Sequence, residues 1–239
     1  FLSYARQVVE QTNLLEERYK SHTETRELFS VSSQHYAFVV NAFVSLLKRA
    51  DMTRYELFLR ETRTYEIIED VKNFRSEIGV LFLNSYNRDV LTKMFDDNRL
   101  TYTSLFKARP HIFVSKSNPL AKHEVVSLED LEEFPYLSYD QGIHNSFYYS
   151  EEILSQIPHK KSIVVSDRAT LFNLLIGLDG YTIATGILNS NLNGDNIVSI
   201  PLDIDDEIDI VYLKHEKATL SKMGEKFLDN LVKEVTFDN

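Results

Sequence analysis

The segment Glu77-Ile78-Gly79-Val80-Leu81-Phe82-Leu83 is an apolar run that lacks the polar–apolar alternation of a half-buried strand. Runs of this kind are typical of strands buried on both faces, as in parallel sheets that helices cover on each side. The run is also far shorter than the ~18 apolar residues of a membrane span. It therefore predicts a buried strand in an α/β fold.

Strand-like and helix-like segments alternate on both sides of this run. The upstream and downstream units predicted from their periodicity are strand Arg26–Val31, helix His35–Arg49, strand Tyr55–Glu61, helix Tyr65–Asn73, helix Asn87–Asp97 and strand Leu100–Lys107. Such alternation is typical of parallel βαβ units with right-handed crossovers. The fold class predicted for the first half of the chain is therefore α/β.

The alternation is interrupted near Pro110 and again near Pro201. Between and after these points, the predicted elements are strands His111–Ser115, Pro135–Tyr139, Lys161–Val165, Tyr181–Thr185 and Ile208–Leu213, and helices His144–Gln156, Asp167–Asp179 and Ser221–Val235. Gly180 stands where a left-handed residue commonly ends a helix. Two interruptions predict two chain crossings between two α/β lobes, with a cleft between the lobes.

The composition excludes several classes of protein. The chain has 239 residues and no cysteine, so disulfide scaffolds, thiolate zinc sites and cysteine nucleophiles are ruled out. With 26 Lys+Arg against 36 Asp+Glu, the formal net charge is −10. This negative charge argues against direct binding of nucleic-acid phosphates by this part of the protein.

The first residues predict an amphipathic helix over residues 1–20. The stretch Phe1-Leu2-Ser3-Tyr4-Ala5-Arg6 has the pattern of a helix interior with no capping residue before it. We therefore expect the natural N-terminus to lie upstream of Phe1, and a signal peptide is not excluded. Such a helix either packs on its own domain or pairs with another chain.

The common enzyme signatures are absent from the sequence. There is no glycine-rich phosphate loop, no Gly-x-Ser-x-Gly elbow and no His-Glu-x-x-His motif. The seven histidines are dispersed, and the acidic run Asp203–Asp209 lacks the glycine and the spacing of a calcium loop. We therefore expect no catalytic residue, no metal and no cofactor.

Polar residues follow four predicted strands, where a helix is expected to begin. They are Ser32, Ser33 and Gln34; Arg63 and Thr64; Tyr139, Gln141, His144 and Asn145; and Ser166, Asp167 and Arg168. Ligands of open α/β sheets bind outside the carboxyl ends of the strands, and helix N-termini favour anions. Plain N-capping explains Ser, Thr, Asp and Asn equally well at any one turn, so both interpretations stay open.

The chain resembles the effector-binding domain of a LysR-type transcriptional regulator, preceded by the end of its linker helix. Phe1–Val8 is similar to the start of that linker helix, and Glu69–Val80 to the stretch that enters the third strand of the domain. Pro110–Val114, with Asn118–Ala121 and Leu128–Leu131, is the most specific match, and Thr170–Gly186 resembles the family's helix-Gly-strand segment. Phe74 and Glu77 replace a Gly and an Asp that are usual in the family.

The resemblance implies a two-lobed, periplasmic-binding-protein-like fold. Residues 1–23 would be the end of the linker helix, 24–107 plus 207–239 the first lobe, and 108–206 the second. An effector would bind in the cleft, and DNA would be bound only by a domain missing here. The implied effector-binding residues are Ser32, Ser33, Gln34, Arg63, Thr64, Ser138, Tyr139, Gln141, His144, Asn145 and Arg168. His144 departs from the small hydroxyl residues common at that turn, and when protonated it would favour an anion.

The resulting hypothesis is a cytoplasmic regulator domain that senses a small anionic or zwitterionic metabolite and assembles with copies of itself. Ligand binding would shift the population of lobe arrangements, and the subunit arrangement would follow. Two rivals share the fold: a solute-binding protein of a transporter, and an enzyme in which Arg168 and His144 would be the titrating pair. We expect no contact with a membrane.

Overall fold

The computed structural model describes residues 27–49, 55–188 and 195–236, together with Val9 and Thr12, both helical. The predicted linker helix over residues 1–23 otherwise lies outside the described residues. The strands are β1 (Glu27–Ser33), β2 (Tyr55–Glu61), β3 (Ile78–Leu83), β4 (Leu100–Ala108), β5 (His111–Ser115), β6 (Tyr136–Tyr139), β7 (Ser162–Val165), β8 (Tyr181–Ala184), β9 (Ile197–Pro201) and β10 (Ile208–His215). The helices are α1 (Ala37–Arg49), α2 (Thr64–Lys72), α3 (Arg88–Asp97), α4 (Arg168–Leu178) and α5 (Lys222–Thr236).

The first sheet has the strand order β2-β1-β3-β10-β4. Strand β1 runs parallel to β2 and β3, and β10 is antiparallel to both of its neighbours. All six residues of β3 are buried, which agrees with the unbroken apolar run and places the strand in the middle of the sheet. On one face, Ile67 of α2 and Phe95 of α3 pack against Leu81 and Leu213. On the other, Phe38 of α1 joins the core.

The second sheet has the order β7-β6-β8-β5-β9. Strand β6 is parallel to β7 and β8, and β5 is antiparallel to β8 and β9. Leu171 and Leu175 of α4 pack with Leu137 and Phe113 on one face of this sheet. Both sheets are thus mixed, and the fold is a two-lobed α/β arrangement like that of periplasmic binding proteins.

The chain passes between the sheets twice, and the two passages lie side by side. Strand β4 ends at Ala108 and β5 starts at His111 in the other sheet, while β9 ends at Pro201 and β10 starts at Ile208. The Leu202 backbone N–H donates to the Pro110 carbonyl at 3.0 Å. Paired crossings of this kind are suited to rotation of one lobe against the other, because only short segments must change their backbone angles.

The helix predicted over His144–Gln156 is wrong. The segment contains only a short 3-10 turn at Phe147–Tyr149, and Leu154 has a left-handed φ of 62° that an α-helix does not accommodate. Its aromatic side chains pack across to the first lobe instead of forming one buried helical face. The Tyr149 hydroxyl donates to Met94 Sδ at 3.5 Å, and the Tyr148 ring stacks on Tyr86.

The left-handed residue that ends α4 is Asp179, with a φ of 51°, and not the predicted Gly180. Gly180 is buried, and a Cβ added there would lie 2.8 Å from Leu137 Cδ1. The glycine therefore serves close packing rather than capping. Two smaller differences concern Ser32 and Ser33, which lie inside β1 and not in a turn after it.

Candidate functional site

A cavity of about 50 Å³ lies between the two sheets. Residues of both lobes line it. From the first lobe these are His35, Tyr36, Ala37, Phe38, Phe82 and Ile208, and from the second they include Phe113, Tyr139, Glu151, Glu152, Arg168, Phe172 and Ile187. The walls are mainly aromatic and aliphatic, with a few ionisable groups among them. Ligand sites in proteins commonly combine these features.

Strand ends and helix starts bring the polar groups of this interlobe cavity together. His35 and Tyr36 occupy the connection between the end of β1 and the start of α1. Tyr139 is the last residue of β6, and Arg168 is the first residue of α4, whose N-cap Asp167 accepts from the Thr170 backbone N–H. The carboxyl ends of the parallel strands thus face each other across the lobes, as ligand sites in open α/β sheets do.

His35 and Glu151 form a buried pair across the lobes. Nδ1 of His35 lies 2.8 Å from Glu151 Oε2, and the His35 backbone N–H donates to the same oxygen at 2.9 Å. Burial lowers the pKa of His35, but the hydrogen bond and negative charge of Glu151, together with Glu61, outweigh it and leave the pKa raised. The His35 ring also stacks on Tyr139 with 4.0 Å between centroids.

Glu61 and Arg168 form a second pair at the rim, with 3.3 Å between Nη2 and Oε1. Burial raises the pKa of Glu61, although the positive charges of Arg168 and His35 act in the opposite direction. This pair joins the end of β2 in the first lobe to the start of α4 in the second.

In the carboxyl group of Glu152, one oxygen has a hydrogen-bond partner and the other has none among the described residues. The Tyr139 backbone N–H donates to Oε1 at 2.8 Å, whereas Oε2 is buried and has no hydrogen-bond partner among the described residues. The residue is 4% exposed. Burial, and after it the charge of Glu151, raises the pKa of Glu152 well above its usual range.

A chain of hydrogen bonds connects the lobes beside the cavity. Gln34 Nε2 donates to Thr64 Oγ1 at 2.6 Å, and the Thr64 backbone N–H donates to Gln141 Oε1 at 3.2 Å. Gln141 Nε2 then donates to Glu151 Oε1 at 3.0 Å. Both polar atoms of the Gln34 side chain are engaged, since its Oε1 also accepts from the Tyr36 hydroxyl and the Phe82 backbone N–H. These residues fix the lobe arrangement and leave few polar atoms free for a ligand.

A second, more open cavity of about 440 Å³ lies near the N-terminus of α2. Its lining includes three arginines, together with Tyr65, Glu66, Glu69, Asp70, Gln141, Ile143 and His144. Arg60 and Arg75 both pair with Asp70, and Arg63 pairs with Glu66 and with Asp140 across the lobes. The His144 ring stacks on Tyr65 with 3.5 Å between centroids. The positive charges of this cavity are therefore matched by carboxylates already present.

The structure distributes the predicted effector-binding residues over several places. Tyr139 and Arg168 line the interlobe cavity, whereas Arg63, Gln141 and His144 line the open cavity. Ser32 donates to Asp70 in a buried network that also includes Ser76. Of the remaining predicted residues, Ser33 is fully buried, Asn145 is exposed, and Gln34, Thr64 and Ser138 line neither of these cavities.

His35, Glu151 and Glu152 are the cavity residues that the sequence reasoning missed. The two glutamates fell in a segment predicted as an amphipathic helix, where charged residues are expected to face solvent. His35 was expected inside a helix that in fact begins two residues later, at Ala37. A signal was present in the adjacent Ser33-Gln34-His35 polar run at the end of a buried strand.

The fold and the interlobe cavity define a two-lobed binding domain. The sequence matches the LysR substrate binding domain family over residues 32–236. The chain belongs to this family, and it is therefore the ligand-sensing domain of a LysR-type regulator. The comparison with curated proteins found no match.

Solved structures with the same fold include further LysR-type regulators. Full-length CbnR in complex with its target DNA is 13% identical with a TM-score of 0.64, over 98% of this chain and 80% of that one. The reduced OxyR regulatory domain from Pseudomonas aeruginosa is 12% identical with a TM-score of 0.62, over 87% and 98%. The QuiR effector-binding domain in complex with shikimate is 15% identical with a TM-score of 0.57, over 87% and 97%. At these identities the likeness concerns the fold.

None of the helices in the described ranges has the length and hydropathy that a membrane span requires. The structures with this fold also include HinK, a LysR family transcriptional regulator from Pseudomonas aeruginosa.

Proposed function

We propose that this domain binds a small metabolite in the interlobe cavity and that binding shifts the equilibrium between lobe arrangements. The observation that carries the proposal is the pairing of groups from opposite lobes, His35 with Glu151 and Arg168 with Glu61, around one aromatic-walled cavity. A ligand that contacts both lobes binds the closed arrangement more tightly than an open one. Such differential affinity is what a ligand needs in order to shift a conformational equilibrium.

The proposed contact residues are Tyr139 and Arg168 from the predicted set, with His35, Glu151 and Glu152 added. The cavity in this closed arrangement is smaller than the ~300–1,000 Å³ of typical ligand sites. The ligand-bound arrangement would therefore hold the lobes further apart than in this structure while both still contact the ligand, and the paired crossings at 109–110 and 202–207 would permit that movement. The lobe boundaries proposed from the sequence, 24–107 plus 207–239 and 108–206, are supported by the separation of the two sheets.

The remainder of the proposal concerns the whole regulator. It would act in the cytoplasm, assemble from copies of this chain, and bind DNA through a domain upstream of these residues. The domain would perform no catalytic step. In the intact protein, the lobe arrangement would set the geometry of the subunits and so the affinity for DNA.

The test is thermal unfolding with a panel of amino acids, acetylated amino acids, dicarboxylates and inorganic anions. A ligand at 100 times its Kd adds about 2.7 kcal/mol to the free energy of unfolding. The expected result is a saturable shift with one class of compound, abolished in Arg168→Ala and retained in Arg63→Ala, which alters the open cavity. A shift abolished in Arg63→Ala and retained in Arg168→Ala would contradict the proposed site. No shift with any class would contradict ligand sensing by this domain.

A further inference from the structure

Glu152 is the one carboxyl of the interlobe cavity without a charged partner. Glu151 accepts from three donors: the His35 backbone N–H, His35 Nδ1 and Gln141 Nε2. Glu61 is paired with Arg168. In Glu152, Oε1 accepts from the Tyr139 backbone N–H, the backbone amides of Glu151 and Glu152 also lower the pKa of the carboxyl, and the buried Oε2 has no hydrogen-bond partner among the described residues.

A buried carboxylate oxygen without a donor is rare in proteins, because the lost hydration is not replaced. Glu152 lines the cavity, so a ligand there can supply the missing donor. The charges of the groups around the cavity indicate which kind of donor is needed. His35 and Arg168 already pair with Glu151 and Glu61, so no cation among the described residues pairs with Glu152, and burial raises its pKa well above the usual range. A cationic donor would favour the ionised form of Glu152 and compensate its charge, whereas an anionic ligand would oppose its ionisation.

The walls of the cavity suit the rest of such a ligand. Phe38, Phe82, Phe113 and Phe172 line it together with Ile187. Aromatic side chains bury apolar groups and also attract a cation near their ring faces. The open cavity offers no comparable site, since Asp70, Glu66 and Asp140 already pair with its arginines.

We propose that the effector of this domain carries a positively charged amino group that donates to Glu152 and an apolar body that packs on the phenylalanines. This inference rests on the proposed function and narrows the chemical class of its ligand. The sequence favoured an anion or a zwitterion. An amino acid agrees with both the sequence and the cavity, since its carboxylate can contact Arg168 and its amino group can donate to Glu152. A carboxylic acid without an amino group agrees only with the sequence.

The test uses matched pairs of compounds in isothermal titration: alanine, valine, leucine and phenylalanine, each against the carboxylic acid that lacks only the α-amino group. We expect one amino acid to bind at least tenfold more tightly than its deaminated partner, as a hydrogen bond to a charged group predicts. In Glu152→Gln this preference should fall to less than about threefold. The variant keeps an oxygen for the Tyr139 amide and so retains the local fold. Glu132→Gln, an exposed carboxyl of the same lobe, should keep the preference.

Three results would overturn the inference. If a deaminated acid binds as tightly as its amino acid, and Arg168→Ala abolishes its binding, the cavity is the effector site but the amino group is not recognised. If the preference for the amino acid survives in Glu152→Gln, the group that recognises the amino group is not Glu152. If no compound of either set binds, the inference fails. A thermal shift with acetylated amino acids, dicarboxylates or inorganic anions would then show that the domain still binds a ligand, as the proposed function requires.

Discussion

One oxygen of Glu151 in the second lobe accepts both the backbone N–H and the side chain of His35 in the first, at 2.9 and 2.8 Å. His35 lies two residues after the end of β1, so this contact connects the region that follows a strand of one sheet to a loop of the other lobe. Both side chains are more than nine-tenths buried. The relative position of the lobes is therefore coupled to the protonation of one histidine.

The first prediction concerns Glu151→Gln. The raised pKa of His35 means that its contribution to stability is fully present below the unfolded value of 6.5 and is lost as pH rises through the folded pKa. Without the Glu151 charge, burial lowers the pKa of His35. The variant therefore lacks the decrease in stability that wild type shows as pH rises through the folded pKa. At about pH 6 we expect the free energy of unfolding to fall by about 2 kcal/mol in the variant, and the difference from wild type to shrink by about pH 9.

Urea unfolding at the two pH values measures this difference. The exposed His123 supplies a control for the substitution itself, because His123→Gln lies outside the His35–Glu151 contact. Parallel pH curves for wild type and Glu151→Gln would show that His35 does not titrate through its contact with Glu151.

Glu152→Gln should not lower the free energy of unfolding at neutral pH, in contrast to Glu151→Gln. The pKa of Glu152 is raised by burial among Glu151, Tyr36, Tyr136 and Tyr139, so wild type loses stability as pH rises above the unfolded value of 4.5. The glutamine cannot ionise and avoids this loss. Each unit by which the pKa is raised corresponds to about 1.4 kcal/mol. Thermal unfolding at neutral pH should therefore show Glu152→Gln to be at least as stable as wild type, and a marked decrease in Tm would contradict this.

The interlobe hydrogen bonds should differ in strength according to burial. Gln141→Leu removes the bonds to the Thr64 amide and to Glu151, both buried, and should cost about 2 kcal/mol. Arg63→Ala removes a pair with Asp140 in which both side chains are more than a third exposed, and should cost less than about 1 kcal/mol. Chemical unfolding of both variants compares the two, and equal costs would contradict the ranking.

Two glycines test the packing of the fold. A Cβ at Gly79 of β3 would lie 2.8 Å from Ile67 Cγ2 and 2.9 Å from Val71 Cγ2, so Gly79→Ala should cost about 1–3 kcal/mol. A Cβ at Gly177 of α4 meets nothing within 4 Å. Gly177→Ala should therefore stabilise the protein by roughly 0.5–1 kcal/mol, since alanine favours the helix. Thermal unfolding of both variants measures whether each substitution raises or lowers the stability of the protein.

The sequence predicted most strands and helices because their patterns are local, but it did not predict β9 at Ile197–Pro201. The unbroken run at Ile78–Leu83 reports burial on both faces, and the structure confirms it. The segment after Tyr139 was mistaken for a helix because its apolar spacing resembles one. Its aromatic residues instead contact Tyr65, Tyr86 and Met94, and such long-range contacts leave no local pattern.

The candidate site was less accessible to sequence reasoning. Polar residues at the carboxyl ends of strands correctly directed attention to that end of the sheets, and Tyr139 and Arg168 line the interlobe cavity. Glu151 and Glu152 are ordinary charged residues in sequence, and only the folded chain buries them against the other lobe. The lobe arrangement determines which polar residues come together in the cavity. The spacing of residues in the sequence does not show that arrangement.

Amide hydrogen exchange, with and without the amino acid that binds most tightly in the titrations, tests the central claim most directly. The account predicts slower exchange in both lobes around the interlobe cavity, at residues 34–38 and at residues 139–141 and 151–153. Slower exchange confined to residues 60–75, around the open cavity, or confined to one lobe, would contradict it.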